Sequence, residues 1–98
     1  MTEVENFNKY YNKPIQIGLD FYFKRPKSHY RSGKYSHLLK ENIPEFHIVK
    51  PDIDNLVKFV CDSLNGVCYR DDSQIIELKA EKHYTENSPR TEVFINEI

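Results

Sequence analysis

A single segment of this chain has the apolar spacing of an amphipathic helix. Ile53, Leu56, Val57, Val60, Cys61 and Leu64 fall at i, i+3, i+4, i+7, i+8 and i+11, which makes one continuous stripe. Pro51 and Asp52 precede it as start signals. Asn65-Gly66 ends it, with Gly66 suited to the left-handed residue past a helix terminus. The opposite face carries Asn55, Lys58 and Asp62, and also Phe59. The other regular stretches alternate. Ile15, Ile17, Leu19, Phe21 and Phe23 interleave with Gln16, Gly18, Asp20, Tyr22 and Lys24, the pattern of a strand with one buried face. After a turn at Tyr69 to Ser73, Ile76, Leu78 and Ala80 share one face, and Glu77, Lys79, Glu81 and His83 the other. Residues Thr85 to Arg90 read as a hairpin loop, and Thr91, Val93 and Ile95 alternate with Glu92, Phe94 and Asn96 in a last strand. One amphipathic helix and a few half-apolar strands can bury their faces only against each other. The expectation is a small α+β domain of two layers, a helix packed on a three-to-four-stranded mixed or antiparallel sheet.

At 98 residues the chain is one domain, 1–98. A chain this short buries a limited share of its surface, so oligomerisation would help it. Residues 1–12 are polar and acidic, which reads as a frayed leader and excludes a signal peptide. No apolar run is long enough for a membrane-spanning helix. Cys61 and Cys68 do not suggest a disulfide framework, so a reduced cytoplasmic protein is the simpler reading.

The net charge of -1 conceals an asymmetry. From Lys24 to Lys50 there are seven Lys or Arg against two Glu, leaving the rest of the chain acidic. Residues 25–50 have no sustained period and are punctuated by Pro26, Gly33 and Pro44, with room for a helical turn near Tyr35 to Lys40. So long a loop in a small domain is usually functional or disordered. Tyr30, Tyr35 and Phe46 are interleaved with Lys27, Arg31, Lys34 and Lys40, a composition suited to stacking on bases and gripping phosphates. The bland alternative is a solvated basic loop.

The remaining signal is acidic. Asp52 and Asp54 stand at the mouth of the helix, and Asp71 and Asp72 in the turn before the next strand. Two carboxylates about 5 Å apart repel by on the order of 3 kcal/mol at an effective dielectric of about 20. A fold that gathers them usually gathers a cation too, and oxygen-only ligands point to magnesium, with manganese as its substitute. Metal-assisted phosphodiester chemistry is the leading idea. In an extended segment Asp52 and Asp54 point the same way, whereas the adjacent Asp71 and Asp72 diverge. Asp72 shares the parity of Ile76 and Leu78 and is the favoured third acid. Each acid has a duller reading: Asp52 as a helix cap, Asp54 as an i, i+4 partner of Lys58, Asp71 and Asp72 as turn formers. A calcium loop fails because Leu56 occupies a ligand position, and His29, His37 and His47 lack zinc spacing. Pro51-Asp52 with Glu77-Leu78-Lys79 looks like the PD…ExK arrangement of restriction-type nucleases, but parity places Glu77 and Lys79 on the outer face of the sheet.

The run Lys50-Pro51-Asp52-Ile53-Asp54-Asn55-Leu56-Val57-Lys58, then Asp62-Ser63-Leu64-Asn65-Gly66, then Asp71-Asp72-Ser73-Gln74-Ile75, resembles the RusA family of Holliday-junction resolvases. The segment Phe21 to Tyr30 is also similar to that family's strand and basic loop. The resemblance implies a magnesium-dependent endodeoxyribonuclease that nicks four-way DNA junctions as a homodimer in recombination and repair. It maps the catalytic acids onto Asp52, Asp54 and one of Asp71 and Asp72, with Asp72 favoured, and the catalytic lysine onto Lys58. The four acids are then the metal ligands. Lys24, Arg25, Lys27, Tyr30, Arg31, Lys34 and Lys50 are the expected DNA contacts, and Phe59, on the polar face of the helix, is either a dimer anchor or packed under the long loop. Family members usually begin with a further strand and helix, so this chain reads as N-terminally short. The competing expectations are a non-catalytic DNA-binding remnant of a prophage resolvase and a metal-dependent nuclease without junction preference.

Overall fold

A computed structural model of the protein describes residues 10 and 12–98. Strand β1 is Ile15–Lys24, helix α1 is Ile53–Leu64, strand β2 is Ile75–Thr85 and strand β3 is Arg90–Glu97. Three short 3-10 turns, Lys27–His29, Gly33–Tyr35 and Asp72–Gln74, fill parts of the connections. The strands form one mixed sheet in the order β2-β1-β3, with β1 parallel to β2 and antiparallel to β3. The two-layer α+β reading holds: α1 packs on one face of a three-stranded sheet, through Leu56, Val57, Val60, Cys61 and Leu64.

The alternation in β1 sets the core. Ile15, Ile17, Leu19 and Phe21 are buried, and Tyr69 joins them. β1 is the most apolar strand, and flanking it on both sides removes its backbone groups from water as well as its side chains. The parallel partner β2 requires a long crossover. The whole of residues 25–74, including α1, supplies it.

This order corrects the hairpin expected across Thr85 to Arg90. β2 and β3 do not pair. The connection instead passes the end of β1, and Arg25 N–H reaches Thr85 O there. Two strand spacings are about 9.6 Å, which a four-residue link of roughly 13 Å reach can span. A hairpin would have left β1, with its four buried side chains, at an edge.

A second correction concerns β2. A bulge lies between the pairs Ile15–Ile75 and Gln16–Glu77, so Ile76 is the extra residue. Ile75 packs on the core, while Ile76 is 63 % exposed. Ile76 therefore leaves the helix-facing row in which the simple alternation placed it. Leu78 and Ala80 keep their places beside Ile17 and Leu19.

The loop of residues 25–50 is ordered by its own polar groups. Arg25 donates to Pro44 O at 2.8 Å and Glu45 O at 3.3 Å, and its guanidinium lies over the Tyr84 ring. Tyr30 bridges Leu39, and Arg31 donates from Nε to Leu39 O. The helical turn falls at Gly33–Tyr35, earlier than the expected Tyr35 to Lys40, because Gly33 adopts a left-handed φ of 64° that begins it. His47 packs between Phe23 and Tyr84, with centroids at 4.2 and 5.0 Å. Of the leader expected over residues 1–12, the structure describes Tyr10 and Asn12. The Tyr10 hydroxyl donates to Ile95 O, and Asn12 accepts from Arg70. The rest of that leader, residues 1–9 and 11, lies outside the described residues.

Candidate functional site

The acidic motif is built on α1 and the turn that follows it. Asp52 is the residue before the first helical turn, in extended backbone, and Leu56 N–H donates to its carbonyl at 3.2 Å. Its carboxylate makes no capping bond. It accepts instead from Lys50 Nζ at 2.7 Å. The cap reading of the Asp52 side chain therefore does not apply. Asp54 lies in the first turn, and Lys58 one turn further on, both exposed. Among the described residues neither has a hydrogen-bond or ion-pair partner, so the i, i+4 pair between them is not made.

Lys82 holds this end of the helix. It stands on the helix-facing side of β2 beside Phe21, and Nζ donates to Val49 O at 2.7 Å and Pro51 O at 2.8 Å. That tie fixes the segment leading into Asp52. Nothing in the local pattern of β2 marks Lys82 out, because its partners are backbone carbonyls some thirty residues earlier.

At the far end, Gly66 takes a left-handed φ of 79° and turns the chain back. Tyr69 is thereby driven into the core at 0 % exposure. Its hydroxyl donates to Cys61 O at 3.2 Å and to Asp72 Oδ1 at 2.9 Å. Burial, followed by that Asp72 bond, pushes the Tyr69 phenol well above its ordinary range. Burial and the nearby Asp72 and Asp62 charges also raise the thiol of Cys61, which is buried on the core side of α1.

The two adjacent acids divide their work. Asp71 forms a capping box: its carboxylate accepts from Ser73 N–H at 2.9 Å, and Gln74 Oε1 accepts from Asp71 N–H at 3.0 Å. The Ser73 bonds hold the Asp71 carboxyl below its usual range. Gln74 Nε2 then donates to Tyr10 O and Lys13 O, tying the turn to the start of β1. Asp72 is left half-buried and turned toward Tyr69. The bulge voids the parity argument for Asp72, and the Tyr69 hydroxyl supplies the reason it faces α1.

These acids do not converge within one chain. Asp72 sits level with Cys61, nine residues past Asp52, which is roughly 13 Å along a helix axis. Among the described residues, the one group of three ligand-type side chains with donor atoms within 4.8 Å is elsewhere: Asp20, Glu81 and His83. The Glu77 and Lys79 of the alternative nuclease pattern pair with Gln16 and Gly18, on the face away from Asp52.

The expected DNA contacts separate into two sets. Arg25 and Arg31 bind loop carbonyls, Tyr30 bridges Leu39, and Lys50 pairs with Asp52. Lys24 and Lys27 are exposed, and Lys34 lies over the Tyr35 ring at 5.2 Å. The loop is thus a scaffold stiffened by arginines with lysines on its surface. Phe59, at 71 % exposure, stands on the solvent side of α1.

A family model described as endodeoxyribonuclease RusA matches residues 2–96, nearly the whole chain. The uncharacterized protein YqaN of Bacillus subtilis (strain 168) is 40 % identical over 85 residues, which cover 87 % of this chain and 58 % of that protein. The chain therefore spans less than two thirds of that relative's length. No solved structure matches it. Among the described residues no helix is long and apolar enough to cross a membrane. With its strand, basic loop, acidic helix mouth and Asp-Asp-Ser-Gln turn in this order, and a family match along almost its full length, the chain belongs to the endodeoxyribonuclease RusA family.

Proposed function

We propose that the protein is a magnesium-dependent endodeoxyribonuclease that resolves four-way DNA junctions in recombination and repair by paired phosphodiester nicks. The observation that carries this reading is the helix mouth. Asp52 and Asp54 at the start of α1, and Lys58 one turn on from Asp54, are exposed or half-exposed, and no capping bond or i, i+4 pair engages them. Their donor set fits magnesium, a hard cation that takes one or two carboxylates and fills its other positions with water and phosphate oxygens. Asp52 and Asp54 would hold the ion, with manganese able to replace it. When bound, it lowers the pKa of water and polarises the phosphate. Lys58 Nζ, one turn from Asp54, would stabilise the charge that grows on the phosphate oxygens. The Lys50 ammonium neutralises Asp52 until phosphate enters, and Lys82 keeps the mouth from shifting.

Asp72 is the third acid that the resemblance assigns. Asp72→Asn tests this assignment. Loss of nicking, with junction binding and the thermal midpoint both kept, would support a role for Asp72 in the reaction. Undiminished nicking makes it an acceptor for Tyr69 only.

The basic loop would grip the DNA backbone through Lys24, Lys27 and Lys34, with Arg25 and Arg31 shaping it. Symmetric nicks in two strands need two sites related by a two-fold axis, so the working unit is a homodimer. Phe59 is the proposed anchor, since buried aromatics dominate interfaces. Soluble DNA chemistry of this kind belongs in the cytoplasm. The test is a labelled four-way junction and a matched duplex, each incubated with and without magnesium. Magnesium-dependent paired nicks in the junction alone support the proposal. Cutting of both substrates makes it a nuclease without junction preference, and binding without cutting makes it a DNA-binding remnant.

A further inference from the structure

The face of the sheet turned away from α1 carries a second constellation. Asp20 on β1 and Glu81 on β2 are register partners, and His83 follows two residues along β2, beside Tyr22. Strand alternation places all three side chains on that one face. Their donor atoms lie within 4.8 Å of one another. His83 Nε2 is 2.8 Å from Asp20 Oδ1 and 3.7 Å from Glu81 Oε1.

Two of the donors, His83 and Glu81, are held by contacts outside the trio. The His83 ring stacks on Tyr22, with centroids at 4.8 Å and planes 23° apart. Arg90 lies over the same Tyr22 ring at 4.0 Å. The second oxygen of Glu81 pairs with Lys79 at 3.2 Å, which leaves Oε1 directed at His83. Glu92, across from Asp20 on β3, is engaged by Arg90 Nε at 2.7 Å. Asp20 and His83 are each about two-thirds covered.

We propose that Asp20, Glu81 and His83 bind a divalent transition-metal ion of the zinc class on the sheet face opposite the acidic helix mouth. The geometry supports this directly. Donors at about 2.0–2.1 Å from a tetrahedral ion stand roughly 3.3 Å apart. The two separations from His83 Nε2, 2.8 and 3.7 Å, straddle that value. An imidazole nitrogen selects zinc or another transition ion over magnesium, which keeps to oxygen. Two carboxylates balance the ion's charge. Three protein donors leave the fourth position to solvent. Because the donors come from β1 and β2, the ion would clip the parallel pair together and raise the stability of the sheet by mass action.

The test titrates the full chain with Zn²⁺ by calorimetry and with Co²⁺ by visible absorption. The expected result is one equivalent bound, with affinity weakened at least about tenfold in His83→Gln and in Asp20→Asn. The Asp52→Asn, Asp54→Asn double variant keeps it, which separates this site from the proposed catalytic one. A second arm uses the unaltered protein: one equivalent of Zn²⁺ shifts the NMR ring signals of His83 and leaves those of His29, His37 and His47 in place. Unshifted His83 signals, a shift centred on another histidine, or loss of binding in the helix-mouth variant would each overturn the proposal.

Discussion

Replacing Tyr69 by Phe removes one oxygen from the centre of the molecule. The ring is fully buried, so the substitution opens no cavity of consequence and leaves the packing on β1 intact. What disappears is a hydroxyl that donates to the Cys61 carbonyl and to a half-buried carboxylate on Asp72. A hydrogen bond to a charged acceptor contributes about 1.5–3 kcal/mol. Asp72 keeps some access to water, which places the expected loss near the middle of that range, about 2 kcal/mol. For a domain of this size that lowers Tm by roughly 8–16 °C. Urea unfolding should show the loss as a lower midpoint with an unchanged slope, since the surface exposed on unfolding is the same. Alkaline titration gives a separate check. The Tyr69 phenol is raised in the folded state, so its stabilisation is complete below the ordinary tyrosine pKa and declines as pH rises above about 10. That decline should be smaller in Tyr69→Phe. A double-mutant cycle with Asp72→Asn should return a coupling of about 1 kcal/mol or more, and nicking should fall in Tyr69→Phe if a fixed Asp72 is required. A midpoint shift below about 0.5 kcal/mol, the usual scale for surface changes, would refute the reasoning, because Tyr69 would then not be restraining Asp72.

Asp52→Asn and Asp54→Asn should each abolish magnesium-dependent nicking while junction binding is kept or strengthened, as gel shifts in the absence of the ion would read. Lys27→Ala with Lys34→Ala should flatten the log-log salt dependence of DNA affinity by about 0.9 for each phosphate that the loop no longer neutralises, whereas Arg25→Ala should lower the thermal midpoint because it releases the loop from Pro44 and Glu45. His47 has its pKa lowered, by burial first and then by the Lys82 charge, and among the described residues its buried Nδ1 has no hydrogen-bond partner. The unfolded chain therefore takes up the proton first as pH falls below the ordinary value of 6.5, so stability should fall through that window. His47→Phe, which keeps the stack on Phe23, should flatten that acid slope. Phe59→Ala should shift sedimentation from dimer to monomer and leave single-nicked junctions, and a variant that stays dimeric removes Phe59 from the interface.

The periods of the sequence determined the elements. Alternation from Ile15 to Phe23 and the stripe from Ile53 to Leu64 each define a face that has to be buried, and their boundaries follow from Pro51, Gly66 and the turn residues near them. Part of the acidic motif was legible for a related reason: Asp54 and Lys58 keep their relative places through local helix geometry, whereas the segment leading into Asp52 is fixed by Lys82 from β2. What the tertiary structure decided is everything that depends on which strand lies beside which. Strand order follows from the relative burial of whole strands, and no local turn signal encodes it, so the expected hairpin gave way to β2-β1-β3. One extra residue at Ile76 moved the facing row of β2, because side-chain parity is a count and a single insertion reverses it. Likewise, only packing could show that Arg25 and Arg31 stiffen the loop, that Lys82 reaches back to Val49 and Pro51, and that Asp20 meets Glu81 and His83. Those partners are distant in the chain, and hydrogen-bond and ligand geometry act through space.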